Sequence, residues 1–210
     1  LNALVIVQRG WGTPQDMIGS WAGAMGHTAW MPEVWLNVGI DYDHDGKVSP
    51  FGDPADALAS SARYLVKRGK YRRGEAWGAE VTLPAGFNTR LADRKTRRTI
   101  AQWQAAGLRP ASGQHFPRLS TAALWIPDPG GPAFLIGQNF FAVRSYNPSF
   151  NYSLAIVHLG DRIRGGGPFV HPFPGGERPP TLEEVQEIQK RLTALGFNTD
   201  GTDSRVGRET

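Results

Sequence analysis

Three glycines fall within eight positions in Gly19-Ser20-Trp21-Ala22-Gly23-Ala24-Met25-Gly26-His27-Thr28-Ala29-Trp30-Met31-Pro32. Small residues surround one Met, and an aromatic-Met-Pro turn closes the run. Glycine allows a backbone to approach a neighbour closely, so the stretch forms either a tightly packed helix corner or a backbone wall for a ligand. A helix over 16–26 is expected, ended at Pro32, with a short helix over 33–38 behind it.

Other segments read by period and punctuation. Residues 3–9 are apolar and helical in pattern. Asp53-Pro54-Ala55-Asp56 opens a helix: Asp53 caps, Pro54 suits the first helical position and Asp56 suits the positive helix end. Leu58, Ala62, Leu65 and Val66 continue it to Gly69. Residues 79–83 and 119–137 read as strands, with a hairpin at Pro127-Asp128-Pro129-Gly130-Gly131. Helices are expected over 94–106 and about 150–163. The Pro- and Gly-rich run 165–180 reads as a linker. Beyond it, Thr181 and Glu184 form a capping box ahead of the stripe Leu182, Val185, Ile188, Leu192 and Leu195, and Gly196 ends that helix. The division is therefore 1–164, a linker 165–180, and 181–210, the last too short for a core of its own.

Net charge is +4 with no cysteine, which excludes a disulfide framework and a thiolate metal site. Basic residues gather at Lys67–Arg73 and Arg90–Arg98 and read as solvated faces. No helix-turn-helix, zinc-finger or aromatic RNA-binding word accompanies them, so nucleic acid is not an expected partner. No apolar run reaches the ~20 residues needed to span a bilayer.

Asp41-Tyr42-Asp43-His44-Asp45-Gly46-Lys47-Val48 fits the opening of an EF-hand loop. Asp41, Asp43 and Asp45 supply alternate oxygens, Lys47 its carbonyl, and Gly46 the sharp turn. Gly52 stands where Glu is usual at position twelve, so Asp53 is the candidate to close the shell. The expected cofactor is a structural Ca2+ (or Na+), with no organic cofactor.

The word at Ser20–Pro32 resembles the S-x-A-G-A-M-G-x-x-Q-F-M-P segment of lytic murein transglycosylases of the membrane-bound B type, with Ala29-Trp30 in place of Gln-Phe. Asn139-Phe140 followed by Tyr146-Asn147-x-Ser149-x-x-Tyr152 resembles a second word of that family. Tyr64 matches a cleft tyrosine in A-x-Y-L, and the acidic loop falls where some members carry an EF-hand-like loop. Val185-Gln186-x-x-Gln189-x-x-Leu192-x-x-x-Gly196 and Asp200-Gly201 through Gly207 to Thr210 resemble the start of a three-helix peptidoglycan-binding module. The resemblance implies an α+β, mainly α, lysozyme-like domain with a small β-containing lobe, followed by a partial module. It implies a periplasmic or cell-envelope location, with any signal sequence upstream.

The implied activity is non-hydrolytic cleavage of the β-1,4 bond between N-acetylmuramic acid (MurNAc) and N-acetylglucosamine (GlcNAc) in peptidoglycan, leaving 1,6-anhydro ends. Ser20, Met25, Tyr64, Asn139, Tyr146, Asn147 and Tyr152 are the implied substrate-binding residues. The family's one catalytic Glu lies in an E-[ST]-x-[WFY]-G word upstream of the Gly-rich segment, and no such word occurs here. Its place is expected outside this sequence, with Glu33 the nearest stand-in, and Glu75 and Glu80 in a polar, exposed stretch. The alternative is a non-catalytic peptidoglycan-binding chain. A calcium-responsive interaction module is a third reading, opposed by the lack of a paired EF-hand. The sequence leaves oligomeric state open.

Overall fold

Strand β3 (Ala123–Trp125) and strand β4 (Ala133–Ile136) pair antiparallel around the Pro127–Gly131 turn, with Leu124 opposite Leu135. This is the hairpin the sequence predicts. β1 (Gly78–Thr82) lies on the other side of β4, and the two-residue β2 (Arg109–Pro110) on the far edge of β1, giving the order β2-β1-β4-β3. The computed structural model describes residues 1–175, 180–199 and 201. Residues 176–179 of the linker and, apart from Gly201, the word from Asp200 to Thr210 lie outside the described residues.

Both faces of the sheet are covered, so β3 and β4 read as unbroken apolar runs. Successive side chains point to opposite faces. Ala123, Trp125, Phe134 and Ile136 meet Phe140, Val143, Leu154 and Val157 from α5 (Gln138–Tyr146) and α6 (Phe150–Ile163). Ala122, Leu124, Ala133 and Leu135 meet Trp103 of α4 (Ile100–Ala105) and Leu108. A third core joins α1 (Asn2–Gln8), α2 (Pro32–Val38) and α3 (Ala55–Lys67) around Ile6, Met25, Trp30, Trp35 and Ala57.

The expected helix over 16–26 does not form. A 3-10 turn at Pro14–Asp16 gives way to non-helical backbone, in which isolated bridges join Gly19 to Met25 and Met25 to Trp30. Met25 and Trp30 exchange both backbone hydrogen bonds at 2.9 Å. The glycines decide this. Gly26 sits at φ +73° with no room for a side chain, since a Cβ there would lie 2.5 Å from the Pro50 carbonyl oxygen. Its neighbour His27 donates its N–H to that same carbonyl.

The expected helix over 94–106 is shorter at its start, because local side chains hold the preceding backbone in other conformations. The Asp93 carboxylate accepts the N–H groups of Lys95 and Thr96, Arg98 pairs with Ala122, and the Thr99–Gln102 capping box sets the true start at Ile100.

The chain divides into Leu1–Phe173 and Pro174–Thr210. Residues 165–173 have no regular structure, yet Phe169 packs on Phe134 and stacks on His158. The backbone N–H groups of Val170 and His171 both donate to Glu80. In the second unit, α7 (Leu182–Ala194) opens with the Thr181–Glu184 capping box as expected. Of its stripe, Val185 is buried, while Leu182, Ile188 and Leu195 are exposed.

Candidate functional site

The Gly-rich backbone at 19–32 brings Trp30 against two tyrosines that are far away in sequence. Trp30 lies 4.9 Å from Tyr64 of α3 and 4.6 Å from Tyr146 of α5, measured between ring centroids. Tyr64 and Tyr146 meet edge to face at 6.1 Å. Tyr152, in the first turn of α6, stacks parallel to Tyr146 at 6.4 Å and 7°. Such pairs hold their geometry through ring quadrupoles as well as burial.

Hydrogen bonds fix the rings further. Tyr64 donates its hydroxyl to the Ser145 carbonyl at 2.8 Å, and Tyr146 donates to the Thr28 carbonyl. Trp30 donates Nε1 to Ser61. Burial, with smaller contributions from neighbouring Tyr152 and Tyr64, pushes the Tyr146 phenol up to about 12. Burial also raises Tyr152. Both therefore stay neutral at physiological pH.

The other implied substrate contacts divide by exposure. Ser20 is exposed, its Oγ accepting the Ala24 N–H. Met25 is buried in the third core beneath Trp30. Asn139 is fully buried and saturated: it accepts from Arg72 N and donates to the Arg72 and Glu75 carbonyls, fastening the 72–75 turn. That leaves Asn139 no free group for a ligand. Asn147 accepts the Ser149 N–H, and Ser149 caps α6 through the Tyr152 N–H. These two residues set the corner that places Tyr146 and Tyr152 side by side.

The carboxylates are arranged differently from the sequence reading. Glu33 is exposed in the first turn of α2, where negative charge suits the helix end. Glu75 and Glu80 are not exposed: their side chains keep 11% and 8% of their accessibility. β1 and the turn before it carry them inward. Glu75 accepts from Ser120 and Arg72, and chiefly the Ser120 hydroxyl holds its carboxyl below the usual range. Glu80 takes the two linker N–H groups and the His171 ring nitrogen. A general acid needs the reverse, an apolar pocket that keeps it protonated.

In the acidic loop, ligand atoms of Asp41, Asp43 and Asp56 lie within 4.8 Å of one another. Asp56 was read as a helix-start residue, yet it is buried and receives Tyr42 N and Ser49 N from the loop. Asp53 stands outside the group and accepts the Ala55 N–H at the start of α3. Asp45 is also outside it, accepting the Lys47 N–H. Asp41 accepts the Gly46 N–H with one oxygen, while the other, Oδ1, is buried without a partner. A buried carboxylate oxygen lacking a donor is the fit expected of a cation ligand. Only distance from the loop word hid Asp56, which lies fifteen residues after Asp41.

Two cavities, of about 500 and 530 Å3, are lined by Trp77, Asp161 and Arg164 rather than by the aromatic cluster. The cluster lines neither of them.

Residues 1–161 match the family model described as the transglycosylase SLT domain. Membrane-bound lytic murein transglycosylase B of Escherichia coli K12 is 34% identical over 71% of this chain and 40% of its own length. SltB3 from Pseudomonas aeruginosa, solved in complex with NAG-NAM-pentapeptide, is similar over the whole chain at 39% identity and a TM-score of 0.83, and 57% of it is covered. SLT35, an Escherichia coli lytic transglycosylase solved in complex with calcium, matches 78% of this chain and 51% of its own at 29% identity and a TM-score of 0.62. The chain thus spans about half the length of these relatives.

Proposed function

The chain belongs to the family of the transglycosylase SLT domain, and from that premise we propose that it forms the larger part of the catalytic domain of a peptidoglycan lytic transglycosylase. The observation that carries the reading is the convergence of Tyr64, Tyr146 and Tyr152 around the buried Trp30, brought together from three separate words. Ring faces suit sugars, whose C–H groups pack on them while hydroxyls find hydrogen-bonding partners. Ala29 stands where the family has Gln, so the aromatic contacts here bear more of the sugar recognition.

In the proposed reaction a protonated Glu gives its proton to the glycosidic oxygen between MurNAc and GlcNAc, and that bond breaks. The resulting carboxylate takes the proton from the muramoyl C6 hydroxyl, whose oxygen closes on C1. The proton is returned and no water is consumed. The buried Asp56 and the half-buried Glu75 and Glu80 each accept from donors, and Glu33 is exposed. None suits the role of a protonated acid, so we assign the acid to a Glu supplied from outside residues 1–210. On that assignment these residues alone bind strands without cutting them, the second reading.

A Ca2+ ion at the acidic loop would be held by Asp41, Asp43 and Asp56, with Asp45 and the Lys47 carbonyl available to complete the shell. When bound it neutralises clustered carboxylates and ties the loop to α3. It has no part in the bond-breaking step. The location follows the substrate: the cell envelope. Among the described residues no helix is long and apolar enough to cross a membrane.

The test is mass spectrometry of soluble products after incubation with purified peptidoglycan, using residues 1–210 and a longer chain that supplies the family's Glu word. The expected outcome is 1,6-anhydro-muramoyl products from the longer chain only, with residues 1–210 co-sedimenting with the sacculus. Hydrolytic products with free reducing ends would sink the transglycosylase assignment. Anhydro products from residues 1–210 would place the acid within them and make Glu33 the first residue to mutate.

A further inference from the structure

Around the α5–α6 corner, three guanidinium groups crowd two phenylalanine rings. Arg94 and Arg144 both lie over Phe150, at 5.0 and 4.5 Å, and Arg97 lies over Phe141 at 4.5 Å. Phe141 and Phe150 themselves meet edge to face. Among the described residues no carboxylate lies within 4.0 Å of any of the three.

Asp93 and one oxygen of Glu75 are engaged elsewhere, while Glu75 Oε2 is buried without a hydrogen-bond partner. Asp93 accepts Lys95 N, Thr96 N and the Thr96 hydroxyl. Glu75 accepts from Ser120 and Arg72. Among the described residues Arg97 donates to the neutral Gln138, and burial followed by the Arg72 charge makes it surrender its proton more readily than a free guanidinium. Arg144 Nε is buried with no partner at all. Like charges repel, and a buried N–H without an acceptor is costly. An anion bound here would relieve both.

We propose that Arg94, Arg97 and Arg144 form a carboxylate-binding patch that takes the acidic stem peptide carried by the muramoyl residues of peptidoglycan. This rests on the peptidoglycan reading above. Guanidinium forks match carboxylates bidentately, and the phenylalanine faces hold those forks in orientation.

Position favours the stem peptide over other anions. Phe150 and Tyr152 are two residues apart on α6, and Arg144 and Tyr146 two apart on α5, so the patch and the stacked tyrosines occupy opposite sides of one corner. The intervening distance is about a helix diameter, ~10 Å. A peptide a few residues long, extending ~3.3–3.6 Å per residue, bridges it from a sugar on Tyr146 and Tyr152.

The experiment measures binding of residues 1–210 to soluble glycan strands in three forms: with stems, with stems removed by an amidase, and with stem carboxylates amidated. Stem-bearing strands should bind about tenfold more tightly than either other form, and the gap should shrink as salt is raised. Arg94→Gln and Arg97→Gln, both at exposed positions that folding tolerates, should each narrow the gap, and together they should bring stem-bearing strands to the level of stripped ones. Equal binding of all three forms by the unmodified chain would overturn the patch and leave the strand-binding reading intact. So would a gap that survives both substitutions, or a patch-dependent preference for a polyol-phosphate polymer over stem-bearing strands. No binding to any form would overturn the peptidoglycan reading and the patch together.

Discussion

The acidic loop and the aromatic cluster are built in opposite ways. The loop is nearly all local: Asp41, Asp43 and Asp45 each accept a backbone N–H from within five residues, and only Asp56 comes from beyond it. The aromatic cluster is nearly all remote, since Trp30, Tyr64 and Tyr146 touch only because a glycine-rich backbone, α3 and α5 converge. A local site can therefore fail at one anchor, whereas a remote one tests the packing of the whole first unit.

The harshest way to break that contrast is Asp56→Ala. It removes a buried carboxylate that holds Tyr42 N and Ser49 N, and we expect a loss of about 3 kcal/mol in urea denaturation. A loss below about 1 kcal/mol would mean that the loop needs no remote anchor. Calcium sharpens the same point from the other side. At a hundredfold excess over its Kd it should stabilise the chain by about 2.7 kcal/mol, read as a rise in Tm that Asp41→Asn abolishes. An unchanged Tm would reduce the loop to a hydrogen-bonded turn.

Within the cluster, Tyr146→Phe keeps the ring and deletes the donor to the Thr28 carbonyl. The expected effect is about 1 kcal/mol, and an unchanged denaturation midpoint would mean that ring packing alone places the residue. The smallest effect is a titration. Tyr146 is raised from 10.0 to about 12 in the folded chain, so its contribution to stability is fully present below pH 10. It is lost as pH rises from about 10 to about 12, because the unfolded chain ionises first. Tyrosinate absorbance should show a phenol titrating at about 12 that Tyr146→Phe removes. A uniform titration near 10 would mean that the cluster is open to water.

The sequence exposes the loop because its acids follow at fixed spacing, but Asp56 resembles an ordinary helix-start acid, and its bonds to Tyr42 and Ser49 exist only once α3 lies against the loop. Asp53 was the nearer candidate by count, yet it is occupied at the start of α3. In the Gly-rich segment the small residues suggested tight packing, correctly, but not helix. Helical propensity lost there to glycines in the left-handed region and to a backbone bond from His27 to Pro50. Glu75 and Glu80 look polar and solvated in sequence; pairing of β1 with β4 places Glu80, and bonds from Ser120 and Asn139 hold Glu75.

The sequence alone determined the hairpin, the cap at Thr181, the α6 span and two acids of the acidic cluster, Asp41 and Asp43. Each depends on residues within a few positions of one another, where spacing and turn chemistry act directly. Tertiary structure alone decided which aromatic rings face each other, which acid closes the loop, and which arginines are left without carboxylates. Those outcomes depend on how separate helices and strands pack, and side-chain burial is fixed only when distant surfaces meet.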